Sequence, residues 1–266
     1  MSDFSCTHDY HLHTHLSACC HDEKLTPQFI ADFAKAHQYK GVCVTDHVWS
    51  RDVAGASSWY APQDISHIQE NLPLPQLADL PFFFGCETEY IGGSKLGLTK
   101  ENMDAFDFVV IPVNHMHQIG FVRPPEITAV KDIAELVTAR LEQLLDLPLP
   151  FHKIGIAHLT CSLMHREGDV AEVIECMDTE RLKRIFDMLA KKGAGIELNA
   201  ASSFNGYDEN PEAYLRLYRL ARDAGCLFYC SSDAHKCVEL EGVEKKLPRI
   251  VQALGLTRAQ QYIIKK

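Results

Sequence analysis

The sequence predicts an α/β fold, a closed barrel of parallel strands, and three observations carry that reading. Seven short apolar runs alternate with helical stretches along 266 residues, the order expected of parallel strands joined by crossover helices. Their even spacing favours a closed barrel over an open sheet. Each run also ends in a polar residue of a chemically useful type, and in parallel barrels the C-terminal strand ends are where sites are built. At 46% hydrophobic the chain can bury a large core. No repeat or low-complexity linker divides it, and Leu72-Pro73-Leu74-Pro75 is too short to be more than a loop, so one domain over 1–266 is expected.

The first strand, roughly Thr7 to Leu12, carries Asp9-Tyr10-His11-Leu12-His13-Thr14-His15. Side chains two apart share a strand face, so His11 and His13 point one way with Asp9, and Tyr10 and Leu12 point the other. Two imidazoles on one face are half a chelate; an exposed His-rich strand end is the plainer alternative. A polar loop, Ser17 to Lys24, leads to Thr26-Pro27 as the cap and first residue of a helix on which Phe29, Ile30, Phe33 and Ala34 recur at helical spacing. Gly41 opens strand two, Val42 to Thr45, which ends at Asp46-His47. The long connection Val48 to Leu80 holds a short helix near Pro62 to Gln69.

Strand three, Phe82 to Cys86, delivers Glu87, and strand four, Phe108 to Val113, terminates at Asn114-His115-Met116-His117, with Pro112 marking an irregular end. An amphipathic helix over Lys131 to Leu145 stops before Pro148 and Pro150. Strand five, Ile154 to Ala157, runs into His158; after a helix at about Glu180 to Lys192, strand six, Gly195 to Leu198, runs into Asn199. A helix from Pro211 to Ala224 closes at Gly225, and strand seven, Leu227 to Cys230, leads to Ser231-Ser232-Asp233-Ala234-His235. One histidine at a strand end is unremarkable; ligand types at six or seven ends together point to a metal site.

The ten cysteines are scattered, several inside apolar strands (Cys43, Cys86, Cys230), and no C-x-x-C pair is present, so they read as reduced and mostly buried. Absence of an apolar leader or an 18-residue apolar span predicts a soluble, unsecreted, cytoplasmic protein. The formal charge of −10 disfavours extended nucleic acid and anionic membrane as partners. Three divalent ions would add about six positive charges, making a mouth that attracts a compact anion on an acidic protein.

In this order, His-x-His, Thr-Asp-His, Gly-Cys-Glu, single histidines after strands four and five, and Ser-Asp-x-His, the chain resembles the PHP family, the polymerase and histidinol phosphatase metal-dependent phosphoesterases, from Asp9 to His235. The resemblance implies a distorted (β/α)7 barrel holding two to three divalent ions, Zn, Mn or Fe. It implies His11, His13, Glu87 and Asp233 at a first ion, His47 and His235 at a second, and His115 and His158 with a bridging Glu87 at a third. The remaining second ligand is open: Cys19 stands where family members place it, and His21 is chosen over Glu23 and His15. His117 competes with His115 in the same way. Asp9 and Asp46 fit as carboxylates orienting imidazoles, or as turn caps.

Asn199 is expected at substrate or water and Arg166 as a phosphate clamp, with Arg123 and Lys236 weaker candidates. The implied reaction is hydrolysis of a small phosphate ester by a hydroxide shared between metals, with Asp233 or His235 relaying a proton and Glu87 holding the bridge. A histidinol-phosphatase-like phosphomonoesterase leads; a nucleotide phosphatase or nuclease, and a metal-stabilised regulatory module without turnover, are the alternatives. Specificity is expected in the loops Val48 to Leu80 and Gly92 to Asn102.

Overall fold

Seven strands form one all-parallel sheet in the order β1 (His8–Leu12), β2 (Gly41–Val44), β3 (Phe82–Glu87), β6 (Phe108–Ile111), β7 (Ile154–Ile156), β8 (Gly195–Asn199) and β9 (Leu227–Ser231). A small antiparallel hairpin, β4 (Tyr90–Gly92) with β5 (Lys95–Leu96), projects after β3. The structure is a computed structural model describing residues 3–165 and 169–265. The seven-stranded alternation expected from the sequence is therefore present, and β6 stops at Ile111, one residue before Pro112.

Period-two patterning decides which side of each strand faces in. Cys43, Phe83, Phe108, Val110 and Tyr229 pack together inside the barrel, while Val42, Val44, Phe82, Phe84, Val109, Ile111, Phe228 and Cys230 belong to the core beneath the helices. That outer layer comes from α1 (Pro27–Ala36), α3 (Val130–Leu145), α4 (Val170–Cys176), α5 (Thr179–Lys192), α6 (Pro211–Asp223) and α7 (Gly242–Leu254). Burying each large apolar side chain there stabilises the fold by about 1.5–3 kcal/mol. Thr26 caps α1 by accepting from the Phe29 amide, Pro27 takes the first helical position, and Ile30, Ala31 and Ala34 are buried, whereas Phe29 is largely exposed. Asp178 caps α5 in the same way, and Gly193, at φ +77°, ends it.

Three features depart from the sequence reading. First, β1 is bulged: Asp9 pairs with Val42 but Leu12 with Val44, three steps against two. Tyr10 and His11 both reach the barrel interior, Tyr10 against Phe83 and Tyr229, while Leu12 turns to the outer core. Tyr10 does not oppose His11 as strict alternation would have it. Second, the short helix expected in the β2 to β3 connection is present as α2 (Ile65–Ile68), but the crossover from β3 to β6 holds only a 3-10 turn at Asn102–Ala105 where strict alternation would put a helix. Third, α4, α7 and the hairpin were not read from the sequence, although Val243, Leu247, Ile250, Val251 and Leu254 recur at helical spacing and are buried.

No continuous ladder joins β1 to β9, and the seam is closed in another way. The Cys230 amide donates to His8 Nε2 at 2.9 Å and the Ser232 amide to Asp9 Oδ1 at 2.9 Å. At the top, the Asp233 amide donates to the His11 carbonyl at 2.8 Å and the His13 amide to the Ala234 carbonyl at 3.1 Å. The C-terminal segment then plugs the base: the Tyr262 amide bonds the Phe228 carbonyl, and Tyr262 and Ile264 join Tyr10, Phe108 and Tyr229. Gly155 has no side chain because a Cβ there would collide with Phe108 and Tyr229. The interior is filled below and polar above.

Candidate metal centre

Glu87, at the C-terminal end of β3, is the hub of the upper layer. Its Oε2 lies 3.3 Å from His11 Nε2, 3.4 Å from His13 Nε2 and 3.1 Å from His47 Nδ1. Its Oε1 faces the other way, 3.5 Å from His158 Nε2 and 4.0 Å from His115 Nε2. Asp233 Oδ1 closes the first set, 3.2 Å from His13 Nε2 and 3.6 Å from His11 Nε2. His235 stacks obliquely on His13, ring centres 4.2 Å apart, and His47 stacks on its other neighbour side at 4.5 Å from the same ring. Three groups have ligand atoms within 4.8 Å of one another: His11, His13 and Asp233; His13, His47 and His235; His115, His158 and Cys161.

Two backbone positions aim these groups. His158 at φ +23° and Asp233 at φ +52° are non-glycine residues with positive φ at strand ends, a costly conformation that packing here enforces. Behind them, partners hold the imidazoles. Ser17 has one hydroxyl proton, given to Asp46 Oδ1 at 2.6 Å, so it accepts from His13 Nδ1–H at 2.9 Å and leaves His13 Nε2 with its lone pair. His235 Nδ1–H donates to the Asp233 carbonyl at 2.9 Å, and His158 Nδ1–H to Asn114 Oδ1 at 3.1 Å. His115 Nδ1–H donates to Glu89. His11 Nδ1 bonds Glu197 Oε1 at 2.6 Å.

The electrostatics ask for cations. Burial would raise the Glu87 carboxyl, yet His47 and His11 hold it well below the usual range. Burial would lower His11, yet Glu197, Asp233 and Glu87 hold it well above. For Asp233 the same contest between burial and His11 ends below the ordinary carboxylate value. Among the described residues, His13 Nε2, Glu87 Oε1 and Glu89 Oε2 are buried with no hydrogen-bond partner. Buried ring nitrogens and carboxylate oxygens left without a partner fit divalent ions, and imidazole with carboxylate suits Zn, Mn or Fe.

A cavity of about 350 Å³ opens over the cluster, lined by His47, Glu87, His115, His158, Asp233 and His235 with Cys19, Trp59, His117, Gln118 and Leu163. Eight of the nine ligand types expected from the sequence thus come together. The ninth, His21, is exposed and lines an adjoining cleft with Lys236 and His235, while Cys19 stands in the cavity wall. His15 and Glu23 are exposed. His117 is at the cavity rim, outside the three ligand groups.

The supporting residues are rearranged too. Asp9 accepts from the Ser232 amide across the seam and from the His11 amide on its own strand, not from an imidazole, and burial raises its carboxyl to about 7. Asp46 acts on His13 only through Ser17. Asn199, expected at substrate, has its amide committed: it donates to Asp233 Oδ2 at 3.0 Å and accepts from the Ala201 and Ser202 amides. Arg123 donates to the Ile127 carbonyl, Lys236 faces Glu239 at 4.0 Å, and Arg166 lies outside the described residues.

Glu197, Cys161 and Trp59 were not identified from the sequence as part of the site. Glu197 had a signal, an acid inside the apolar strand Gly195-Ile196-Glu197-Leu198. Fully buried, it accepts from His11, the His158 amide and Ser231 Oγ.

The family model for the PHP domain matches residues 9–201. The chain belongs to the PHP domain family. Together with the buried histidine-rich groups, that membership makes it a metal-dependent phosphoesterase. No curated protein sequence matches this PHP chain. It superposes on the histidinol phosphate phosphatase of Lactococcus lactis, solved with zinc, L-histidinol and phosphate, with TM-score 0.57 at 18% identity over 98% of this chain and 99% of that one. A Listeria monocytogenes protein described as a candidate histidinol phosphatase gives TM-score 0.62 at 14% identity over 91% and 99%. At such identities the likeness is one of fold. No helix among the described residues is long and apolar enough to cross a membrane.

Proposed function

We propose that this PHP chain, working as one domain, hydrolyses small phosphate monoesters at a centre of two to three divalent ions, with histidinol phosphate among the candidate substrates. The observation that carries this is Glu87, whose two oxygens face two different imidazole sets as a bridging carboxylate would. His11, His13, Glu87 and Asp233 would hold one ion. His47 and His235 would hold a second, with the last donor from the segment Cys19 to His21. His115 and His158 would share Glu87 at a third. Ions there would neutralise phosphate charge and activate water as the nucleophile.

The chain's own residues do the rest. Ser17, Asn114, Glu89 and Glu197 each engage Nδ1 of one imidazole, of His13, His158, His115 and His11 respectively, and so keep its Nε2 turned toward Glu87. Asp233, with one oxygen held by Asn199 and the other facing the histidines, and His235 at the cavity wall are positioned to pass a proton to the leaving alkoxide. Trp59, edge-on to His47 at 5.0 Å, belongs to the Val48–Leu80 connection and gives the leaving group an aromatic wall.

Glu87→Gln keeps shape but weakens the bridge, so hydrolysis of p-nitrophenyl phosphate should fall by about two orders of magnitude or more with near-normal folding. A sugar phosphate, histidinol phosphate, a nucleoside monophosphate and a single-stranded oligonucleotide complete the comparison, on protein reconstituted with Zn, Mn or Fe. Preference for the oligonucleotide, growing with its length, would replace this reading with a nuclease; no turnover on any of them would leave a regulatory module.

A further inference from the structure

We propose that Cys161 is a thiolate ligand of the ion held by His115 and His158, which makes that corner of the centre a four-donor, zinc-selective site. The inference rests on the metal-centre reading above and goes further by naming a ligand, a metal preference and a division of labour.

Cys161 is fully enclosed and sits three residues after His158, brought back over it by a turn in which the Cys161 amide donates to the His158 carbonyl at 2.9 Å. Its sulfur lies within 4.8 Å of one ring nitrogen of each of His115 and His158. His158 Nδ1 is engaged by Asn114 and His115 Nδ1 by Glu89, so the Nε2 atoms are the ones available to an ion. Glu87 Oε1, buried without a hydrogen-bond partner, faces both of them. Two imidazole nitrogens, a carboxylate oxygen and a sulfur are the donor types and number that a four-coordinate zinc site takes.

The sulfur's remaining neighbours are donors. The Leu163 amide gives a hydrogen bond to it at 3.3 Å and Ser202 Oγ at 3.7 Å, the arrangement that stabilises a thiolate at a metal. Capping the short turn Ser162–Met164 is the simpler use of this cysteine. Serine would cap that turn at least as well, and capping does not require a sulfur beside two imidazoles and an orphaned carboxylate oxygen. A thiolate selects zinc over manganese or magnesium, and four protein donors leave this ion no open position. Substrate phosphate and attacking water would then be served by the ions of the His11 and His47 groups, and the His115 ion would be the one that resists exchange.

The test is spectroscopic, on full-length protein loaded with Co(II) in place of its native metal. A sulfur-to-cobalt charge-transfer band in the near ultraviolet is expected, retained in Cys19→Ala and lost in Cys161→Ser, a change that preserves the capping turn. Native protein dialysed against a mild chelator should keep one zinc per chain, and Cys161→Ser should keep none. A Co(II) protein that hydrolyses phosphomonoesters but lacks the band overturns the ligand assignment and leaves the phosphoesterase reading standing. A band that survives in Cys161→Ser and disappears in Cys19→Ala also overturns it and moves the sulfur to the His47 group. A chain that takes up no Co(II) at all overturns both.

Discussion

An imidazole binds metal through one nitrogen only if something holds the other, and here the holders are single residues far away in sequence. Glu197 carries the largest share, since it meets His11, the His158 amide and Ser231 at once. Glu197→Gln should lower metal content or affinity at the His11 group by about 10–100-fold with little change in the fold, read by elemental analysis and circular dichroism. Unchanged metal affinity would remove Glu197 from the centre's support. His8 tests the seam below. Burial lowers it to about 3, and its Nε2 must be unprotonated to accept from Cys230. Because the folded value lies below the unfolded one, the native state binds fewer protons between pH 6.5 and 3. This residue's contribution is therefore full above about pH 6.5 and is lost as the pH falls, by at most on the order of 5 kcal/mol. His8→Gln should flatten the stability–pH curve through that window while lowering stability at neutral pH, seen by denaturant titration of both proteins side by side.

Elements set how precisely those residues are held. The bulge in β1 turns Tyr10 down into the aromatic base and His11 up into the ligand layer from adjacent positions, so one strand serves two layers. The C-terminal segment completes the base: Tyr262 packs on Phe108 and Tyr229, and its hydroxyl donates to the His152 carbonyl at 2.6 Å. Tyr262→Ala should destabilise by about 3–5 kcal/mol, the cost of an aromatic-sized cavity. Metal binding should stay near normal, because the cavity forms a layer below the ligands. Calorimetry checks the first expectation and metal titration the second.

Across the whole molecule, the formal charge is −10, yet Glu87, Glu89, Glu197 and Asp233 are gathered at one barrel mouth. Gathering buried carboxylates costs free energy that bound cations would offset, so folding and metal binding are coupled. Chelation should lower Tm by several degrees or more, and stepwise addition of zinc should restore it, with saturation at two to three ions per chain. A Tm indifferent to chelator, in protein confirmed to lose its metal, would mean that the barrel stands without them.

What the sequence determined by itself was local in kind. Apolar period, cap residues such as Thr26, and the polar type at each strand end follow from neighbouring residues, which is why seven strands and most of the side chains that meet at the barrel mouth were legible together with the family. The tertiary structure decided what depends on distant residues meeting. Glu197 and His11 are 186 positions apart, Cys161 and Ser202 lie on different crossovers, and Cys19 rather than His21 lines the cavity. The bulge that puts Tyr10 and His11 on one side was equally hidden, because strict alternation is a property of an isolated strand and the register is set by its neighbour.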